Sequence, residues 1–438
     1  MRTGGALSAS ARTPACCCPK TGERTAWRSF AGSGPVDLRA LAAVTDRVPH
    51  LNTRLQGFGT TIFAQMSALA AETESVNLGQ GFPDTDGPAS VIEAAIAAMR
   101  AGHNQYPPVP GVAALRQAIA RHQKRFYDLA YCAETEILVT TGATEAIAAT
   151  MLALLEVGDE VVTFEPWYDS YGASIAMAGG FKRVVTLRPP QYNFDPVELE
   201  RAINAKTRII LLNTPHNPTG KVFSRRELEM VAELCVRHDL IAVTDEVYEH
   251  LVFDGEHIPL ASLPGMRDRT VTISSGGKTF SFTGWKIGWV CAPAPLVAAV
   301  RTSKQFLTFV SGPPFQHAIA TALDLDDDYY AGLLADMRHK RDLLSDGLER
   351  VGFEVFRPQG TYFVNTDITP LGGTDGVEFC LELPGRAQVV AIPTQVFYDN
   401  VDEGRSLVRF AFCKRNEVIT EAVERLARVE WEPRPRTA

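Results

Sequence analysis

From about residue 134 onward, short apolar runs alternate with stretches whose apolar positions recur at helical spacing. The runs at 136–140, 160–164, 207–213, 240–245, 270–275 and 288–292 are short, continuous and bounded by small or polar residues. They predict strands buried on both faces. Between them, residues 144–155 and 224–238 predict helices, and Ser224 with Glu227 has the spacing of a capping box. Alternation of this kind predicts an α/β domain around a mostly parallel sheet. It stops near residue 320. Residues 325–350 then predict a long, charge-rich amphipathic helix, followed by strands at 361–365 and 407–412 and a last helix to about residue 430. The expected division is an extension over 1–50, the first part of a small α+β domain over 51–80, a large domain over 81–320, and the rest of the small domain over 321–433.

A chain of 438 residues accommodates two or three domains. Apolar residues make up 45% and charged residues 21%, the balance of a water-soluble globular protein. The net charge of −8 argues against nucleic acid as a partner, and no apolar run approaches a membrane span. Of eight cysteines only Cys16, Cys17 and Cys18 cluster, without the paired spacing of a zinc site, so no metal is expected. The other five are scattered, mostly among apolar neighbours, as expected of free thiols in a reducing cytoplasm. Residues 1–50 lack apolar periodicity, and their first acidic residue is Glu23. They read as a disordered extension, with a targeting segment as the alternative.

In an open α/β sheet, ligands gather at the carboxyl ends of the strands. The residues just past each predicted strand form a coherent polar set. Gly142, Ala143 and Thr144 make a small-residue turn into a helix, suited to an anion, although tight packing explains such a turn as well. Tyr168 follows the second run and either stacks on a planar ligand or covers the sheet edge. Asn213 opens a turn held rigid by Pro215, Pro218 and Gly220, which presents Asn217. Asp245 ends an apolar run, where a carboxylate is costly without a cation, and Tyr248 lies one turn beyond. After Ser275, Gly276 and Gly277 comes Lys278, with Lys286 eight residues on, in a chain of ten lysines and 33 arginines. Lysine is the side chain whose amine can be made neutral and nucleophilic. A phosphate-binding P-loop is excluded because its first glycine would fall on Thr272.

Taken together these motifs resemble the fold-type-I pyridoxal 5′-phosphate (PLP) enzymes, class I/II aminotransferases. The likeness is greatest to the branch of kynurenine/glutamine, methionine and N-succinyldiaminopimelate aminotransferases, the actinobacterial members of the last group above all. It runs from about Phe58 to Leu426 and rests on residues 77–84, 104–106, the Gly142 turn, 215–220, 245–248, Ser275 with Lys278, and 408–410. The resemblance implies a ping-pong transamination (EC 2.6.1) between an amino acid and a 2-oxo acid by a cytoplasmic homodimer. Lys278 would hold PLP as an imine, Asp245 would pair with its ring nitrogen, and Asn217 and Tyr248 would bond its ring oxygen. Tyr168 would stack on the ring. Gly142, Ala143, Thr144, Ser275 and Lys286 would hold the phosphate, and Tyr106 would reach the partner subunit's. Arg409 would bind the substrate carboxylate, with Gly81 and Asn213 at the same end. Phe58 and Ile62 are expected either in the pocket or in the core. Residues 309–315, before Gln316, depart from some kynurenine aminotransferases in lacking a histidine, which leaves the substrate side chain open. A cysteine-S-conjugate β-lyase or a decarboxylase is the enzymatic alternative. A PLP-binding transcriptional regulator is disfavoured, because some 50 irregular residues cannot make a DNA-binding domain.

Overall fold

The computed structural model describes residues 50–431; the expectations for residues 1–49, including the cysteine cluster, lie outside the described residues. Seven strands form one sheet: β1 Ile137–Thr141, β2 Glu160–Glu165, β3 Phe181–Thr186, β4 Thr207–Asn213, β5 Ile241–Asp245, β6 Thr270–Ser275 and β7 Ile287–Cys291. Their order is β1-β7-β6-β5-β4-β2-β3. All neighbours run parallel except β7, which is antiparallel to both β1 and β6. The central strands are buried along their whole length, as a sheet covered by helices on both faces requires. Strand β3 has no counterpart among the predicted runs. Its Phe181-Lys182-Arg183 start alternates outward and inward, because β3 is an edge strand with one row of partners.

Helix α1, Gly142–Leu154, follows β1 directly. Helix α2, Arg225–Arg237, begins at the expected capping box: Ser224 Oγ accepts from Glu227 N at 3.3 Å, and the Glu227 carboxylate accepts from Ser224 N at 2.9 Å. Its buried residues Leu228, Val231, Ala232 and Cys235 share one face at helical spacing.

A second sheet is antiparallel throughout. Its strands are β8 Glu354–Phe356, β9 Phe363–Asp367, β10 Ile392–Pro393 and β11 Leu407–Ala411, in the order β10-β11-β9-β8. Helix α3, Asp327–Val351, leads into it and stops at Gly352, whose φ of +113° suits glycine. The N-terminal part of the described chain joins this layer. Val76 and Asn77 pair in parallel with Val389 and Val390, and Met66, Ala70 and Leu78 share one apolar cluster with Leu344, Leu348, Phe410 and Leu426. Alternation along β11 decides where Arg409 goes. Val408 and Phe410 enter that cluster, so the side chain between them faces the other way. Among the described residues, no helix is long and apolar enough to cross a membrane.

The capping box gives a direct check on α2. Ser224→Ala should cost about 1 kcal/mol, read as a lowered thermal midpoint with activity retained; an unchanged midpoint would show that the cap bonds do not stabilise the helix.

Candidate active site

The carboxyl ends of β1, β2, β4, β5 and β6 open on one cavity of about 210 Å³. Because β7 runs the other way, its first residues lie at this same edge, and that is how Lys286, just before β7, reaches the cavity. The cavity is closed from the opposite side by Phe63, Gln80, Gly81, Phe363 and Arg409, all from the second layer.

Lys278 sits in the short helical turn after β6. Its Nζ donates to Tyr362 Oη at 2.9 Å, and Tyr362 Oη donates to the Gly81 carbonyl at 2.6 Å. Burial pulls the Lys278 amine down to about 8 from its usual 10.5, so a sizeable neutral fraction exists near neutrality. Asp245, at the end of β5, is 4% exposed. Burial pushes its carboxyl up to about 6, against a hydrogen bond from Tyr171 Oη at 2.7 Å that favours the charged form. Asn213 stands beside Asp245 in the strand register, and its Nδ2 donates to the Asp245 carbonyl at 2.8 Å. Its Oδ1 accepts from the Asn217 backbone N at 2.6 Å, which fixes the start of the rigid turn.

Arg409 is almost fully buried and lies over the Phe363 ring, its guanidinium carbon 4.0 Å from the ring centre. Nη1 donates to Asn217 Oδ1 at 2.9 Å and Nη2 to the Gly79 carbonyl at 3.1 Å. Burial lowers its pKa to about 10, which leaves it charged at neutral pH. Its buried Nε has no partner. Since Arg409 occupies the Asn217 oxygen, the Asn217 amide is oriented with its nitrogen left as a donor. Tyr248 is buried against Tyr362 in an edge-to-face contact of 5.2 Å and lines the same cavity.

At the other end, Gly142 opens α1 with a φ of +74°, and a Cβ there would come 3.0 Å from Lys286 Cε. Gly288 completes this close approach: a Cβ on it would lie 2.6 Å from the Gly142 carbonyl carbon. Ala143, Thr144 and Ser275 line the same wall, and the Thr141 side chain does not cap the first turn of α1. Tyr168 lies across the cavity, and burial pushes its phenol up to about 12.

Thus Gly81, Gly142, Ala143, Thr144, Tyr168, Asn213, Asn217, Asp245, Tyr248, Ser275, Lys278, Lys286 and Arg409 line one cavity. Tyr106 does not: it is 82% exposed and packs edge-on against Phe309. Phe58 and Ile62 do not line the cavity either. Ile62 packs on the core of the second layer, Phe58 is 37% exposed, and Phe63 supplies the aromatic wall instead. A one-residue step along a helix turns a side chain by roughly 100°, so Ile62 and Phe63 cannot both face the cavity. Two hydroxyl-bearing aromatics were missed, Tyr171 and Tyr362. Tyr171 stands three residues past Tyr168, a spacing that puts both on one helical face. Tyr362 follows Thr361, a fully buried β-branched residue at a φ of +67°. Such backbone costs roughly 1–3 kcal/mol and persists only where the surroundings enforce it.

A separate buried polar group lies outside the cavity: His122, Glu249 and His250 offer ligand atoms within 4.8 Å of one another. The two imidazoles hydrogen-bond to each other at 2.7 Å, and Glu249 accepts from Ser274 Oγ at 2.5 Å. These polar atoms are thus partly satisfied within the protein.

The sequence model described as aminotransferase class I and II matches residues 73–426. The probable N-succinyldiaminopimelate aminotransferase DapC of Mycobacterium tuberculosis is 50% identical over 386 residues, 86% of this chain and 97% of that one. The solved M. tuberculosis N-succinyldiaminopimelate aminotransferase superposes with a TM-score of 0.85 at 51% identity, covering 86% of this chain and 99% of that chain. A methionine aminotransferase of Escherichia coli is 40% identical, covering 85% of this chain and 97% of its own length.

The raised Asp245 carboxyl has a consequence for stability in protein stripped of bound small molecules. Because the folded form keeps a proton to about pH 6 that the unfolded form releases near 3.8, stability falls as pH rises through that window and then levels off. Asp245→Asn removes this slope. The variant should be the more stable form above pH 6, by up to about 3 kcal/mol, with the gap closing below pH 4. Parallel urea titrations across pH check this; a variant less stable at pH 8 would contradict it.

Proposed function

Given that this chain belongs to the class I and II aminotransferases, and so moves amino groups between amino acids and oxo acids, we propose that it does so with PLP attached at Lys278. The observation that carries the reading is the meeting, in one cavity, of a buried lysine whose pKa is lowered to about 8, a buried carboxylate and a buried arginine with an unpartnered Nε. The residues fit the cofactor. Asp245 holds an unfavourably buried carboxylate that a protonated ring nitrogen would relieve. The glycine cradle at Gly142, the uncapped start of α1, Ser275 and Lys286 suit a phosphate. When bound, PLP supplies an aldehyde that captures amines and a ring that delocalises the electron pair left on the substrate α-carbon.

The protein's own groups then have distinct tasks. Asp245 keeps a positive charge on the ring, and Tyr171 keeps Asp245 ionised and aimed. Asn217 and Tyr248 line the cavity and would hold the ring oxygen, and Tyr168, lining it too, would pack against the ring. The remaining donors of Arg409, Nε among them, grip the substrate α-carboxylate as a planar fork. With the cofactor in place, Lys278 Nζ would be the base that takes the proton from the substrate α-carbon. Gly81 acts through its backbone carbonyl, which holds Tyr362, and Asn213 through its side-chain amide, which holds the Asp245 backbone. Tyr106 serves the partner subunit of a homodimer. Its 82% exposure, against a Phe309 that is itself 43% exposed, supports that reading, since large apolar surface left to water marks an association face. A cytoplasmic location accords with the five cysteines among the described residues, none of them paired.

For the donor we propose N-succinyldiaminopimelate, supported by the 50% identity to a relative of that name. The methionine aminotransferase at 40% identity supports a second reading, a broad-specificity enzyme for methionine, glutamine or kynurenine, with β-elimination as a side reaction. The cation set lining the cavity contains Arg409, Lys278 and Lys286 and, among the described residues, no second arginine. That disfavours a short dicarboxylic donor.

Two measurements check these assignments. Borohydride treatment followed by peptide mapping should fix the cofactor on Lys278, and Lys278→Ala should lose at least about 10²-fold in transamination while folding normally; labelling of Lys286 would overturn the assignment. Across succinyldiaminopimelate, methionine, glutamine, kynurenine and aspartate, kcat/KM should be highest for the first. Comparable values for the first four favour the broad reading, and a preference for aspartate rejects both.

A further inference from the structure

Among the described residues, the Tyr362 hydroxyl and the Gly81 carbonyl hydrogen-bond the Lys278 amine, and neither belongs to the sheet that carries the lysine. Lys278 hangs from β6 of the large sheet, Tyr362 precedes β9 of the small one, and Gly81 follows the strand pair at Val76–Asn77. The Tyr362 hydroxyl donates its single proton to the Gly81 carbonyl at 2.6 Å, so its oxygen is left as the acceptor for Lys278 Nζ at 2.9 Å. Burial holds the phenol well above its usual range, so it stays protonated and this direction is maintained. An amine that donates one N–H to Tyr362 has its lone pair turned away from that oxygen, towards the cavity.

The surroundings are built to keep the hydroxyl there. Thr361 sits in left-handed backbone, its N–H donating to the Leu251 carbonyl at 2.8 Å. Gly360 N donates to the Gly220 carbonyl at 2.8 Å, and Phe253 N to the Gln359 carbonyl at 2.6 Å. The segment before Tyr362 is therefore tied to the two loops that also present Asn217 and Asp245. At Gly81, a Cβ would lie 2.4 Å from Phe363 Cζ and 3.2 Å from Tyr362 Cε2, so only glycine lets this carbonyl reach the hydroxyl. Strained backbone, a side-chain-free partner and bonds to both site loops converge on one hydroxyl.

We propose that Tyr362 is a positioning residue for Lys278: its hydroxyl holds the free amine with the lone pair aimed at the substrate α-carbon. This rests on the reading of Lys278 as the base. Tyr362 does not line the cavity and acts through its hydrogen bond to the lysine. A hydroxyl that served packing alone would leave the rate of α-proton removal unchanged when deleted.

The test is Tyr362→Phe in the PLP-loaded enzyme, which keeps the ring and its contacts with Tyr248 and Phe363. The expected result is a kcat reduced at least about tenfold, KM for the amino donor changed less than about threefold, and a larger primary isotope effect on kcat with an α-deuterated donor. Borohydride labelling of Lys278 should remain complete. An unchanged kcat and isotope effect overturn the proposal, as does a loss that lies in KM or in cofactor content. Lys278→Ala run in parallel separates the two claims: full activity in that variant removes the base reading itself, whereas an inactive Lys278→Ala beside a normal Tyr362→Phe removes only the role of Tyr362.

Discussion

Desolvation of charge is the constraint around which this protein is built. Lys278, Asp245 and Arg409 are all withdrawn from water, and burial drives each towards its neutral form, to about 8, 6 and 10 respectively. Left alone, such groups would be expensive. Each is instead met by a hydroxyl, an amide or a carbonyl: Tyr362 for the lysine, Tyr171 for the aspartate, Asn217 and Gly79 for the arginine. These partners compensate in part only, so the site holds a carboxylate, an amine and a guanidinium in states that an incoming cation, carbonyl and carboxylate would relieve. Function and marginal stability thus share one origin.

The same constraint explains why two layers are needed. A parallel sheet gathers residues along one edge but cannot enclose them. Here the antiparallel β7 adds Lys286 to that edge, and the second layer lowers Arg409, Gly81 and Phe363 onto it. Polar, directional bonds join the layers at the cavity, Asn217 to Arg409 and Lys278 to Tyr362, and apolar packing joins them around it, with Val247, Leu251 and Phe253 in the cluster of the second layer and Phe356, Tyr398 and Leu407 in one of the large sheet.

Much of this was legible in the chain because strands buried on both faces write themselves as continuous apolar runs, and the polar residue that ends such a run is conspicuous. Asp245, Asn213 and Ser275 stood out in that way, and Lys278 through the scarcity of lysine. Strand β3 was invisible because an edge strand mixes Lys182 and Arg183 with Phe181 and so resembles a loop. Tyr171 and Tyr362 were hidden for another reason. A tyrosine among apolar neighbours reads as core, and its polar tip matters only once folding brings a distant carboxylate or amine within reach, 74 residues away for Tyr171 and 84 for Tyr362. For Ile62 the core alternative holds, and one step along the same helix Phe63 faces the cavity.

The pairing of Val76 and Asn77 with Val389 and Val390 has a consequence for how the chain is made. On a ribosome adding about 5–20 residues per second, the early strand emerges roughly 15–60 s before its partner exists. During that interval Met66, Ala70 and Leu78 have only Val247, Tyr248, Leu251 and Phe253 of their cluster to meet, because the other members begin at residue 337. The large sheet, whose strands follow one another within 155 residues (137–291), can condense in the meantime. The emerging chain therefore holds the apolar side chains of this early segment without most of their final partners through much of its synthesis.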